Sequence, residues 1–281
     1  MKTIKIAHLY YDLMNYFGEQ GNITALKSAI KYADVKVSVD TLSIDDKIDF
    51  NAYDIFYIGM GSKINQELVR KDILKYKNDI KKIIDKKMFI ATGNSYELFG
   101  KNIDGKECLG IFNFSSKSTN RIVGEQVFKT DLIDYPIIGF QNRESTNDIK
   151  ENYLFEVIKG TGNDETTNVE GIHINNFFGT YLIGPLLIRN PYFKDELLKY
   201  LGISKFDETL PDYKAYYEYL KNFNIKTSSK WRCFFIMCYC KALAFVMRFG
   251  KLGRHRWRSS HRSEPNHHRR RRQGSKTYCE N

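Results

Sequence analysis

The stretch MFIATGNSYELFG, residues 88–100, decides how this chain is read. Five residues of strand character run into a turn on Gly93, Asn94 and Ser95, and the pattern beyond predicts the start of a helix. A strand that breaks sharply into a helix is where many α/β enzymes hold a nucleophile. Here the tip is Gly93, which has no side chain. Upstream, TIKIAHLYY (3–11) reads as a first strand and GNITALKSAIKYA (21–33) has apolar residues at helical spacing. VKVSVDTL (35–42) alternates as a second strand, and YDIFYIGMG (53–61) is the near-continuous apolar run of a central parallel strand. Residues 64–87 predict one long Lys-rich amphipathic helix before the 88–92 strand. This β-α-β-β-α-β order predicts a parallel sheet covered by helices.

From Cys108 to Phe178 the helical period fades. GIFNF, RIVGEQVF, PIIGFQN and YLFEVI are the candidate strands there, and GIHINNFFGTYLIGPLL (171–187) holds two more. Asn190 is the expected N-cap of PYFKDELLKYLG, with Pro191 at its first turn and Gly202 at its stop. A Tyr-rich helix is expected near 211–223.

Charge divides the chain. The net charge of +11 would suggest a nucleic-acid binder, but beyond residue 230 there are 13 basic and 2 acidic residues, and the first 230 hold 31 of each. The body is formally neutral, so no nucleic-acid partner is expected for it. The segment WRCFFIMCYCKALAFVMRFG (231–250) has the length of a membrane span, but Lys241 near its middle would cost about 2.5–3.5 kcal/mol in hydrocarbon, which argues against one. Both Trp, four of the six His and four of the five Cys also lie beyond residue 230, an abrupt shift in usage that suggests a fusion, frameshift or read-through. The expected organisation is a domain over 1–205, a helix and linker over 206–230, and an anomalous tail over 231–281. MKTIKIAHLYYD reads as a strand and not as a signal peptide, and one cysteine in 230 residues fits a reducing compartment, so a cytoplasmic body is expected.

GNSYELFGK (93–101), TNRIVGE (119–125), IIGFQN (137–142) and the 171–187 segment occur in the order and spacing of the cobyric-acid-synthase-like (CobB/CobQ) class I glutamine amidotransferases. With GNITALK (21–27) and DIFYIGMGS (54–62), the body is similar within that family to glutaminase subunits of lipid II isoglutaminyl synthases, over roughly residues 4–202. The resemblance implies a three-layer, flavodoxin-like α/β fold with a mostly parallel sheet. It implies a Mur-ligase-like ATP-dependent partner acting on a peptidoglycan stem peptide, glutamine or a related amino acid as ligand, and neither cofactor nor metal.

In that family a cysteine at the turn attacks the glutamine amide, and a histidine from a distant strand end activates the thiol and protonates the leaving ammonia. The resemblance places Gly93 at the cysteine position and Ile183, in GTYLIGP, at the histidine position. Glycine offers no nucleophile and isoleucine accepts no proton, so a fold that has lost its hydrolysis is expected. Glu97 stands where the family has a substrate-holding glutamine, Arg121 matches an arginine that can anchor a carboxylate, and Asn94 lies in the turn. Gly61 belongs to the glycine turn whose amides form the family's oxyanion hole, with Met60 replacing a glycine. Arg143 replaces a second histidine. Two other readings stay open: an amino-acid-binding or scaffolding protein using Glu97 and Arg121, and an active amidase with displaced groups drawn from Thr92, Ser95, Glu97 and His173. His173, His8 and Cys108 read as structural.

Overall fold

The computed structural model describes residues 3–223; the tail expectations lie outside the described residues. In chain order the regular elements are β1 (Thr3–Leu9), α1 (Gln20–Tyr32), β2 (Lys36–Leu42), β3 (Ile55–Ile58), α2 (Lys63–Ile73), α3 (Lys77–Ile83) and β4 (Met88–Thr92). There follow β5 (Asn102–Ile103), β6 (Lys106–Glu107), β7 (Ser115–Thr130), β8 (Ile133–Asn147), β9 (Phe155–Lys159) and β10 (Val169–Glu170). The last are β11 (Ile172–Ile174), β12 (Phe177–Thr180), α4 (Leu186–Arg189), α5 (Pro191–Lys199) and α6 (Pro211–Lys221).

The main sheet has the order β11-β12-β4-β3-β1-β2, with β2, β1, β3, β4 and β12 parallel and β11 antiparallel at one edge. That is the expected flavodoxin-like arrangement. β3 and β4 are buried at every residue, because helices cover both faces. Ile6, Ile55, Tyr57 and Ile90 face a core completed by Ile23, Leu26 and Ile30 of α1 and by Phe193, Leu197 and Leu198 of α5. Their sequence neighbours Ala7, Phe56, Phe89 and Ala91 face the opposite core, completed by Val69 and Ile73 of α2 and by Ile80 and Ile83 of α3. Phe56 and Phe89 stack at 4.6 Å between ring centres, and burying a side chain of this size contributes about 2–3 kcal/mol.

The second sheet is built on the long β7–β8 hairpin, whose strands contain RIVGEQVF and PIIGFQN; β9 carries most of YLFEVI. Four expectations are corrected. The helix over 64–87 is two helices, because Tyr76 turns its hydroxyl to the Asp46 carbonyl (2.5 Å) and its ring to Phe50, interrupting the ladder. The segment after the 88–92 strand is a 3-10 run over Gly93–Phe99, buried throughout. GIFNF is not a strand: Ile111 and Phe112 both donate their amides to the Phe99 carbonyl, so the chain follows the 3-10 run instead of a ladder. Asn190 does not cap α5 with its side chain. Its amide instead exchanges hydrogen bonds with both backbone groups of Ile138 at 2.7 Å, pinning β8 to the helix layer.

Candidate functional site

β3, β4 and β12 end side by side, with Ile58 opposite Ala91 and Thr92 opposite Thr180. The turn over 59–61, the tip at Gly93 and the loop over 181–184 therefore converge at one edge of the sheet, the edge where open parallel sheets hold their ligands. Gly93 has φ +62°, a conformation that disfavours any residue with a Cβ. A Cβ built there would lie 2.4 Å from Met60 Cβ and 2.7 Å from Met60 Cγ. The Met60 side chain thus fills the space beside the tip. Its backbone is fixed, since the Tyr16 amide donates to the Met60 carbonyl at 2.9 Å.

Asn94 closes the neighbouring space. Its Oδ1 accepts from the Gly61 amide (3.2 Å) and its Nδ2 donates to the Gly61 carbonyl (3.0 Å), so the glycine turn is bound to the elbow on both its polar groups. Ser95 is fully buried and directs its hydroxyl at the Ile58 and Thr92 carbonyls. Ile183 is also fully buried, and its amide donates to Phe140 at 3.0 Å, tying the loop after β12 to the hairpin.

Two buried polar networks flank the elbow. In the first, Glu97 Oε1 accepts from the Tyr181 hydroxyl and Oε2 from Gln66 Nε2, both at 2.7 Å. Burial raises the Glu97 carboxyl pKa, against hydrogen bonds from Ser145, Gln66 and Tyr181 and the nearby Arg143 charge. Arg143 lies 4.0 Å over the Tyr181 ring and donates to Gln141 and to the carbonyls of Ser145, Gly162 and Asn163. It acts as a strut. In the second network, Glu19 Oε2 accepts from the hydroxyls of Tyr57 (2.5 Å) and Thr92, while Oε1 accepts from the Gly184 amide (3.2 Å). Burial pushes the Glu19 carboxyl up to about 7. Glu19 links the residue before Gly93 to the residue after Ile183. No local pattern in FGEQGN singles it out, because its partners are 38 to 165 positions away.

Gly61, Asn94, Glu97 and Arg121 line one cavity of about 520 Å³, together with Met60 and Asn142. Arg121 Nε donates to Asn142 Oδ1 at 2.8 Å, and among the described residues no carboxylate pairs with its guanidinium. The other cations at the rim are otherwise placed: Lys63 pairs with Glu144, and Arg70 and Lys106 with Glu67. Neither cysteine nor histidine lines the cavity. The arrangement can hold a carboxylate, but it offers no thiol or imidazole for acyl transfer.

The remaining candidates lie elsewhere. His173 stacks on Phe178 at 4.6 Å on edge strand β11, and its Nε2 meets the Asn175 carbonyl. His8 is buried in β1, and burial lowers its pKa to about 4. Cys108 follows β6 instead of opening a strand, and burial pushes its thiol up to about 12, far from a reactive thiolate. No group of metal-ligating side chains occurs among the described residues.

Residues 5–191 match the CobB/CobQ-like glutamine amidotransferase domain. Over 206 residues the chain is 35% identical to the lipid II isoglutaminyl synthase (glutamine-hydrolyzing) subunit GatD of Staphylococcus aureus, covering 71% of this chain and 84% of that protein. The subunit of the same name from Streptococcus pneumoniae is 32% identical over 198 residues, covering 66% and 76% respectively. A crystal structure of a glutamine amidotransferase aligns with a TM-score of 0.46 at 13% identity, over 70% of this chain and 99% of that one. The domain match spans most of the described residues, and two relatives agree with it: the chain belongs to the CobB/CobQ-like glutamine amidotransferase family.

Proposed function

We propose that this protein is a glutamine amidotransferase-fold subunit of a peptidoglycan-amidating system that does not hydrolyse glutamine. The observation that carries the reading is at the elbow: Gly93 has no nucleophile, and Met60 occupies the space a side chain there would need. Ile183, without a titratable group, stands at the histidine position implied by the family. Loss of either member of a cooperating nucleophile and base removes most of their joint effect. Displaced groups are disfavoured because the Thr92 and Ser95 hydroxyls are fully buried and committed to Glu19 and to backbone carbonyls.

The partner in this reading is a Mur-ligase-like ATP-dependent subunit in the cytoplasm. The relatives' names, which make them subunits of a synthase, support it. Such a partner would draw on free ammonia. A second function is favoured by one feature, the Arg121 guanidinium at the cavity without a carboxylate partner among the described residues: the cavity binds glutamine or a related amino acid without consuming it. Calorimetry of the full chain with glutamine and glutamate tests this. Binding that falls at least about tenfold in Arg121→Ala, the loss of roughly one charged hydrogen bond, is expected. Absence of heat with either ligand leaves only the scaffolding role.

A further inference from the structure

The site has lost more than its reacting groups; it has also been filled. Met60 Cβ, and not merely the flexible end of that side chain, lies 2.4 Å from where a Cβ at position 93 would be, and the Met60 carbonyl is tied to the Tyr16 amide. The residue cannot swing aside by changing rotamer, because Cβ is fixed by the backbone. Independently, Asn94 takes the amide of Gly61, which lies in the turn whose amides form the oxyanion hole in the family the sequence resembles, and holds the Gly61 carbonyl as well. An oxyanion site needs donors that are free when charge develops on the substrate. Here the donor is already engaged.

We propose that Met60 and Asn94 are positioning residues of a closed elbow: Met60 excludes a nucleophile from position 93, and Asn94 withholds the Gly61 amide. Restoring the reacting groups alone then restores nothing. Turnover requires a thiolate to bond to the carboxamide carbon and the C–N bond to break as an imidazolium protonates the departing ammonia. Water must then cleave the thioester to glutamate and free thiol. The first step needs room at position 93 and a free amide at 61, and the native chain has neither. This inference rests on the reading that the native protein does not hydrolyse glutamine, but its alkylation and exchange tests do not depend on that activity.

The full chain carrying Gly93→Cys, with and without Met60→Gly, is treated with iodoacetamide, and alkylation is followed by mass spectrometry in the tryptic peptide spanning residues 88–101. The introduced thiol is expected to react at least tenfold slower when Met60 is present; equal rates overturn the role of Met60. If Gly93→Cys alone does not fold, folding is expected to return with Met60→Gly, and failure to return overturns the proposal equally. For Asn94, hydrogen exchange at the Gly61 amide is expected to quicken at least tenfold in Asn94→Gly, and an unchanged rate overturns that half. A Gly93→Cys/Ile183→His protein that releases ammonia from glutamine with Met60 and Asn94 in place would refute both. Ammonia release by the unaltered protein would instead refute the underlying functional reading, leaving the alkylation and exchange results to stand or fall by themselves.

Discussion

At the scale of the residue, Gly93 is held by two constraints at once. Its φ of +62° costs a residue with a Cβ about 1–2 kcal/mol, and the contact with Met60 adds overpacking of about 1–3 kcal/mol. Gly93→Ala is therefore expected to lose roughly 2–5 kcal/mol in urea unfolding, with part recovered by Met60→Gly; a change under about 0.5 kcal/mol would mean the turn relaxes freely. Glu19 allows a test by pH. Its folded pKa, raised to about 7, lies above the ordinary carboxyl value of 4.5, so between these values the folded state holds a proton that the unfolded state has released. The Glu19 contribution is fully present below pH 4.5 and lost as pH rises through about 7. Glu19→Gln, which mimics the neutral acid, should gain stability relative to the unaltered protein as pH goes from 5 to 7.5. A constant difference across that window would show that Glu19 does not titrate on folding. Gly93, Ile183 and Met60 in place of a glycine stand out in the sequence only against the family pattern, whereas the contact of Met60 with position 93 needed the distance.

At the scale of the element, the site is three strand ends and the turns that leave them. The strands were legible because β3 and β4 are nearly all apolar up to Thr92, and Phe56 and Phe89 fill the core between α2, α3 and the sheet. Phe89→Ala should cost about 3–5 kcal/mol, read by chemical unfolding, with a loss below 1 kcal/mol contradicting the packing. The segments around the cavity were less legible. The 3-10 run over 93–99 is fully buried, so no amphipathic period marks it, and the Tyr76 break depends on a carbonyl 30 positions away. Arg143 read as a lost histidine; in the fold it joins β8 to the loop at 162–163 and sits near the Glu97 and Glu170 carboxylates. Arg143→Met leaves these carbonyls without their donor and should cost about 3–5 kcal/mol. In a domain of this size that corresponds to a fall in Tm of roughly 6–20 °C. Arg143→Lys should recover little, since an ammonium cannot reproduce the planar fork.

At the scale of the molecule, composition separated a formally neutral body from a cationic stretch beyond residue 230, and the family match falls within the first of these. Among the described residues no helix is long and apolar enough to cross a membrane. The sheet sets Thr92 opposite Thr180, so the turns carrying Gly93 and Ile183, 90 positions apart, leave neighbouring strand ends, and Asn94 in the first of these turns and Met60 packed against it line a cavity of about 520 Å³. Helices, sheet order and the Arg121 wall of the cavity are in place, while Met60 and Asn94 crowd the turn at Gly93. The most direct test is ammonia release from glutamine by the purified full-length protein. None above the blank is expected at saturating glutamine, and turnover at even about one per second, an ordinary rate for an enzyme, would contradict the proposed loss of hydrolysis.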